Sequence, residues 1–153
     1  MSAVEDRLSE LGLTVPDVAT PVAAYVPVVR IGNLVMTSGQ LPMVNGSLAA
    51  TGKVGKEVTP EQGADLARTC ALNAIAAVKS LVGDLDTVRI VKVVGFVASD
   101  PSFTGQPAVI NGASELFGQV FGENGAHARS AVGVAVLPLD APVEVEITVS
   151  VND

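Results

Sequence analysis

Val143-Glu-Val-Glu-Ile-Thr-Val-Ser-Val151 alternates apolar and polar side chains from end to end. Successive side chains of an extended strand point to opposite faces. Val143, Val145, Ile147, Val149 and Val151 therefore share one face, and Glu144, Glu146, Thr148 and Ser150 the other. The apolar face needs a cover, and the sequence upstream offers one. Residues 60–82 read as a helix: Thr59 can cap it, Pro60 takes the first position, and Gln62 stands three residues past the cap. Ala67, Cys70, Ala74, Val78 and Leu81 form its apolar stripe, and Gly83 ends it. A second helix is predicted near 107–121, stopping at Gly122. Residues 88–98, rich in β-branched side chains, read as a strand between the two helices.

Working back from the last strand, residues 130–137 read as its hairpin partner, joined to it through Pro138-Leu-Asp-Ala-Pro142. Val132, Val134 and Val136 then supply the matching apolar face. Arg129, Ala131, Gly133 and Ala135 fall on the side of the two glutamates. Small residues there leave room for a ligand or another subunit; the plain alternative is a solvated polar face. If Val136 pairs near Val143, Glu144 lies opposite Ala135, roughly 20 Å along the ladder from Arg129. One chain could not bring both to a small ligand, so any cooperation between them places the site between subunits.

Nearer the N-terminus, Ser2 caps a short helix over residues 2–11, and Gly12 stops it. Pro16, Pro21 and Pro27 punctuate an extended lead-in. Val28–Ile31 and Leu34–Thr37, linked by Gly32-Asn33, read as a hairpin, and Asn45-Gly46-Ser47 closes a further turn. The order ββαβαββ predicts an α/β (α+β) layer fold, a mixed sheet with two main helices on one face.

The chain has 153 residues, 48% hydrophobic, 16% charged and 3% aromatic, with a formal net charge of −7. That length predicts a single domain over 1–153. Nucleic acid is a poor match, because polyphosphate binding gains from counterion release around Lys and Arg. Stacking platforms are scarce too, with four Phe, one Tyr and no Trp. One Cys and one His exclude a disulfide framework and a zinc site built from several such ligands. Gly52-Lys-Val-Gly-Lys56 lacks the spacing of a phosphate loop. The N-terminus reaches charge within a few residues and has no apolar core of a signal segment. No apolar run approaches the ~18 residues of a membrane span. The expectation is a soluble protein of a reducing compartment, most simply the cytoplasm, with no membrane partner.

Thr37-Ser-Gly-Gln-Leu-Pro42, Asn111, Ala128-Arg-Ser-Ala-Val132, Leu137-Pro138 and Val143-Glu-Val-Glu146 occur in a fixed order. In that ordered set the chain resembles the RidA (YjgF-type) family of enamine/imine deaminases, in particular a subgroup with a His-Ala-Arg-Ser-Ala-Val-Gly segment, here His127–Gly133. The likeness covers residues 20–152; residues 1–19 are the first helix and the lead-in. It implies a chorismate-mutase-like fold, a homotrimer with sites in the clefts between subunits, and no metal or organic cofactor. It also implies hydrolysis of 2-aminoacrylate-type enamines, through their imine tautomers, to a 2-oxo acid and ammonia. Carried over by position, the carboxylate-gripping arginine falls on Arg129 and the water-holding glutamate on Glu144. The site tyrosine falls on Tyr25, the Ser-Gly turn on Ser38 and Gly39, and the site asparagine on Asn111.

The residue types suit that chemistry. A guanidinium is planar, permanently charged and forked, matched to a carboxylate. Glu144 could take a proton from the attacking water if its surroundings tune its pKa, and the carbonyl of Ala131 could hold the same water. Position 131, often Cys in the best-known deaminases, is Ala here. Gly133 replaces a larger residue and should widen the pocket, and the segment 100–106 is longer than in the typical deaminase. These departures keep a second reading open, a trimeric module that binds small 2-oxo acids or related metabolites without turnover. An endoribonuclease is less favoured by the charge balance. Outside a ligand site, Arg129 and Glu144 would serve intersubunit ion pairs, His127 a structural hydrogen bond, and Cys70 the core.

Overall fold

In the computed structural model, which describes residues 1–21 and 23–152, the alternating segment is the middle strand of a five-stranded sheet. In chain order the elements are α1 (Ala3–Glu10), β1 (Val28–Ile31), β2 (Leu34–Thr37), β3 (Met43–Val44), β4 (Ser47–Leu48) and α2 (Pro60–Val82), then β5 (Val88–Ala98), α3 (Gln106–Phe121), β6 (Ala128–Val134) and β7 (Val143–Val151). The sheet order is β1-β2-β7-β5-β6, with β3 and β4 forming a separate small hairpin. Only the β5–β6 pair is parallel. Val22, within the lead-in, lies outside the described residues.

All five apolar residues of β7 are buried. They meet α2 and α3, which cover one side of the sheet and close the main core with Val35, Ile75, Val93, Ile110 and Phe117. The predicted start of α2 is present as a reciprocal box: Thr59 Oγ1 accepts from the Gln62 amide at 3.1 Å, and Gln62 Oε1 accepts from the Thr59 amide at 2.9 Å. Its stripe is buried from Ala67 to Val78, but Leu81, in the last turn, stands exposed. The helices cross closely where Gly112 of α3 meets α2; a Cβ on Gly112 would lie 1.9 Å from the Ala64 carbonyl oxygen. Helix α1 is tied down from outside itself. The Asp86 carboxylate accepts from the amides of Ala3 and Val4 at 2.9 and 3.1 Å, and Glu5 pairs with Lys79. The Lys79 hydrogen bond, with that from the Ser2 amide, lowers the Glu5 pKa to about 2.

The hairpin expected between 130–137 and 143–151 does not form. β6 ends at Val134 and lies parallel to β5, which stands between it and β7. The reason is the helix before it. A strand–helix–strand crossover returns the chain parallel to the strand it left, so β5–α3–β6 sets the neighbour before the Pro138 link is reached. The predicted facing of β6 is reversed as well. Arg129 pairs with Val93, Ala131 with Gly95 and Gly133 with Val97, and Val93 and Val97 face the helices in the core. Arg129 therefore lies on the helix side, opposite to the two glutamates.

The other side of the sheet has no helical layer. Val29, Ile31, Leu34, Met36 and Val132 are 38–68% exposed there, alongside Glu144, Glu146, Thr148 and Ser150 by register.

Candidate functional site

On the open side, the sequence builds a cavity by breaking a ladder. β2 pairs with β7 regularly from Leu34↔Ser150 to Met36↔Thr148, but the next contact is Gln40↔Val145. One residue too many stands on the β2 side, the signature of a bulge, and it falls at Ser38-Gly39. Both flanks are fixed. Thr37 Oγ1 accepts from the Ile147 amide at 3.1 Å, and Gln40 and Val145 exchange backbone hydrogen bonds of 2.8 and 3.0 Å. Ser38 turns outward and pins the lead-in, donating from its amide to the Pro27 carbonyl at 2.8 Å and from its hydroxyl to that of Val26 at 2.6 Å. Tyr25 is thereby carried to the rim.

The resulting cavity, about 60 Å³, is lined by Tyr25, Pro27, Gly39, Leu41, Pro138 and Glu144, among others. That exceeds the ~10–15 Å³ a cavity needs to hold one water, so the cavity admits ordered water beside the carboxylate. Glu144 sits at its wall, half-buried, and burial raises its pKa, with the neighbouring Glu146 adding to the rise. No described residue donates a hydrogen bond to its carboxylate.

On the helix side, Arg129 lies against α3. Its Nη1 donates to Asn111 Oδ1 at 2.8 Å and to Ser114 Oγ at 3.2 Å, and its Nη2 donates to the Pro107 carbonyl at 3.2 Å. All three acceptors are neutral, and no described carboxylate pairs with it. The Nε–H and one Nη2–H engage no described residue. A guanidinium has five donors, so two remain for an incoming anion. Beside it, Ala131 packs against the core. The room expected at Gly133 is already filled: a Cβ there would meet Gln106 Nε2 at 2.8 Å and Ser99 Oγ at 3.2 Å. The Gln106 amide donates to the Phe103 carbonyl at 2.8 Å, so the longer 100–106 segment folds back on this spot.

The predicted residues thus fall into two groups. Tyr25, Ser38, Gly39 and Glu144 gather on the open side, and Arg129, Asn111 and Ala131 on the helix side. Arg129 pairs with Val93 and Glu144 with Phe96. Three residues along and two strands across place their Cα atoms about 14 Å apart, with side chains on opposite faces. The separation is shorter than the expected ladder distance, but the sheet itself stands between them. Two polar residues of the helix-side group escaped the sequence reading, Ser114 and Gln106. Ser114 was detectable: it lies three positions after Asn111, on the same face of a helix already predicted. His127 makes structural contacts, with Nδ1 2.6 Å from the Gly125 carbonyl and Nε2 2.8 Å from Ser114 Oγ. Cys70 is fully buried, and burial raises its pKa.

A mixed sheet covered by two helices on one side is the layer arrangement of the chorismate-mutase-like class. Residues 5–149 match the family described as "YjgF/chorismate mutase-like, putative endoribonuclease", and the chain belongs to this family, that of the RidA (YjgF-type) proteins. Among its relatives, Protein TCP17 of Trypanosoma cruzi is 45% identical over 98% of this chain and 95% of that protein. The 2-iminobutanoate/2-iminopropanoate deaminase of Escherichia coli K12 is 37% identical over 82% and 85% of the two chains. The crystal structure of the protein Atu1372 from Agrobacterium tumefaciens superposes with a TM-score of 0.92 at 48% identity, covering 98% of this chain and 93% of that one. No helix among the described residues is long and apolar enough to cross a membrane.

Proposed function

We propose that this protein is an enamine/imine deaminase, hydrolysing 2-aminoacrylate-type intermediates to 2-oxo acids and ammonia in sites shared between subunits of a homotrimer. The observation that carries the reading is Arg129: a permanent cation held by three neutral oxygens of α3, with donors to spare and no acid beside it. Such a group is oriented for an anion that the chain itself does not supply. Substrate carboxylate would bind there, and Glu144 of a neighbouring subunit would receive the proton of the attacking water. A carboxyl with a raised pKa is a better base than an ordinary one. The apolar side chains of Val29, Ile31, Leu34 and Met36, adjacent on β1 and β2 and 38–68% exposed, support association, since monomers rarely expose large contiguous apolar patches. The E. coli relative named as a deaminase supports the reaction class.

A second reading, binding of small 2-oxo acids without turnover, is favoured by Ala131, which brings no acid, base or nucleophile to the helix-side group. Ammonia release separates the two. Imine generated in situ by an amino-acid oxidase should be hydrolysed faster with the protein present, and Arg129→Ala should lower kcat/KM roughly 10- to 150-fold, the value of a charged hydrogen bond. Equal rates with wild type and variant would refute the assignment. Arg129-dependent binding with no added ammonia release would establish the second reading.

A further inference from the structure

The structure places the lone histidine of the chain behind Arg129, with one hydroxyl between them. We propose that Ser114 and His127 form a positioning relay that holds the Arg129 guanidinium in its carboxylate-binding pose; this rests on the assignment of Arg129 as the substrate anchor. Three links run in sequence. The Gly125 carbonyl lies 2.6 Å from Nδ1 of His127, Nε2 of the ring lies 2.8 Å from Ser114 Oγ, and Arg129 Nη1 donates to Ser114 Oγ at 3.2 Å.

The donor and acceptor roles follow by elimination. A carbonyl can only accept, so Nδ1 carries a proton and donates to Gly125. In the neutral ring Nε2 is then an acceptor, and the Ser114 hydroxyl must donate to it. With its hydrogen committed to the ring, Ser114 Oγ turns its lone pairs outward and can accept from Arg129. Ser114 unpartnered by histidine could rotate its hydroxyl back to the helix carbonyls, as serines in helices do. The ring thus fixes the polarity of the serine, and the serine presents an acceptor to the guanidinium.

The ring is itself held. It meets Phe117 edge-on, with centroids 6.0 Å apart, and Phe117 is fully buried in the main core. The backbone at Gly125 is equally constrained, because a Cβ there would lie 2.3 Å from the Phe117 carbonyl oxygen. Position, tautomer and hydroxyl direction are therefore set by the core, two residues before Arg129 itself. Asn111 supplies the other Nη1 acceptor from the same helix face. Deleting Ser114 should loosen the guanidinium rather than release it.

The chain has one histidine, so its ¹⁵N spectrum holds a single imidazole and reports the tautomer in the intact protein without assignment. At alkaline pH the expected result is a ring protonated on Nδ1, and a ring protonated on Nε2 overturns the relay. In the imine assay, Ser114→Ala should raise KM on the order of tenfold, the low end for a hydrogen bond to a charged group because Asn111 still holds the same Nη1, with kcat within about twofold. His127→Gln, which retains an acceptor toward Ser114, should keep a KM near that of wild type. His127→Asn, which retains only the donor toward Gly125, should raise KM about as much as Ser114→Ala. A wild-type KM in Ser114→Ala, in protein whose activity still depends on Arg129, overturns the proposal. Activity indifferent to Arg129→Ala would instead remove the deaminase reading, and the ring spectrum would still report whether the network exists.

Discussion

The Glu144 carboxyl occupies the volume that a side chain on residue 39 would need. A Cβ built on Gly39 would lie 2.7 Å from Glu144 Cδ and 2.8 Å from Oε1. The bulge after β2 brings the backbone at Gly39 over the glutamate, and the absence of a side chain there lets the carboxyl approach it closely. Position 39 thus sets where the carboxylate points, independently of any hydrogen bond.

Gly39→Ala should therefore act on activity more than on stability. The clashing atoms are the free end of a side chain, which can swing away into the cavity at little cost. Stability should change by less than about 1 kcal/mol, while kcat falls at least tenfold, since a displacement near 1 Å of a reacting group can cost about 100-fold. Thermal melting and imine hydrolysis, measured side by side, would show the split. A large melting shift with unchanged turnover would contradict it.

The pH profile should carry the mark of the two adjacent glutamates. Glu144 is raised first by burial and then by Glu146, so the acid limb of kcat should lie above the ordinary carboxylate range. Glu146→Gln removes the like charge and should move that limb to lower pH, leaving the remainder due to burial. The stability effect has the opposite sense. A carboxyl whose folded pKa exceeds its unfolded one helps most below the unfolded value, and that help disappears as pH rises through the folded value. Glu144→Gln should accordingly gain stability relative to wild type at neutral pH and show no such gain in strong acid.

Arg129→Ala and Glu144→Gln, each strongly impaired alone, should complement each other. With sites between subunits of the proposed trimer, about one site in four of a random mixture draws an intact arginine from one subunit and an intact glutamate from the next. Coexpressed chains should recover activity on the order of a quarter of wild type. No recovery, with mixed oligomers verified by mass, would show that the two residues do not work together in a shared site.

Gly112→Ala should damage both packing and function. Its Cβ would meet the Ala64 carbonyl oxygen at 1.9 Å and the carbonyl carbon at 2.7 Å, and neither is a flexible group. Separation of α2 from α3 should cost about 1–3 kcal/mol or more, visible as a lowered denaturant midpoint. Because α3 also carries Asn111 and Ser114, KM for the imine should rise in whatever protein remains folded.

The sequence made plain what depends on local rules. The alternation in β7, the box formed by Thr59 and Gln62, and the hairpin turn at Gly32-Asn33 each follow from near neighbours, and each is present. Strand partners do not follow from such rules. Period-two alternation assigns Val132 and Val134 to one face, but it names neither the neighbouring strand nor the side on which helices lie. Val132 reads as core because it is apolar, yet it is 44% exposed on the uncovered side. Taking the apolar Val132 and Val134 as core puts Arg129 on the opposite, uncovered face, whereas the register with β5 turns it toward the helices. Gly133 misled similarly, since its empty space is filled by Gln106 from a segment more than twenty residues away.

Placing β5 between the strands of Arg129 and Glu144 has a consequence for regulation. If catalysis needs both, an isolated protomer is a fully folded but silent half. Diluting the protein should then extinguish turnover at a concentration where circular dichroism still reports an intact fold, and adding back more of the same chain should restore it. Abundance, rather than any effector, would be the switch.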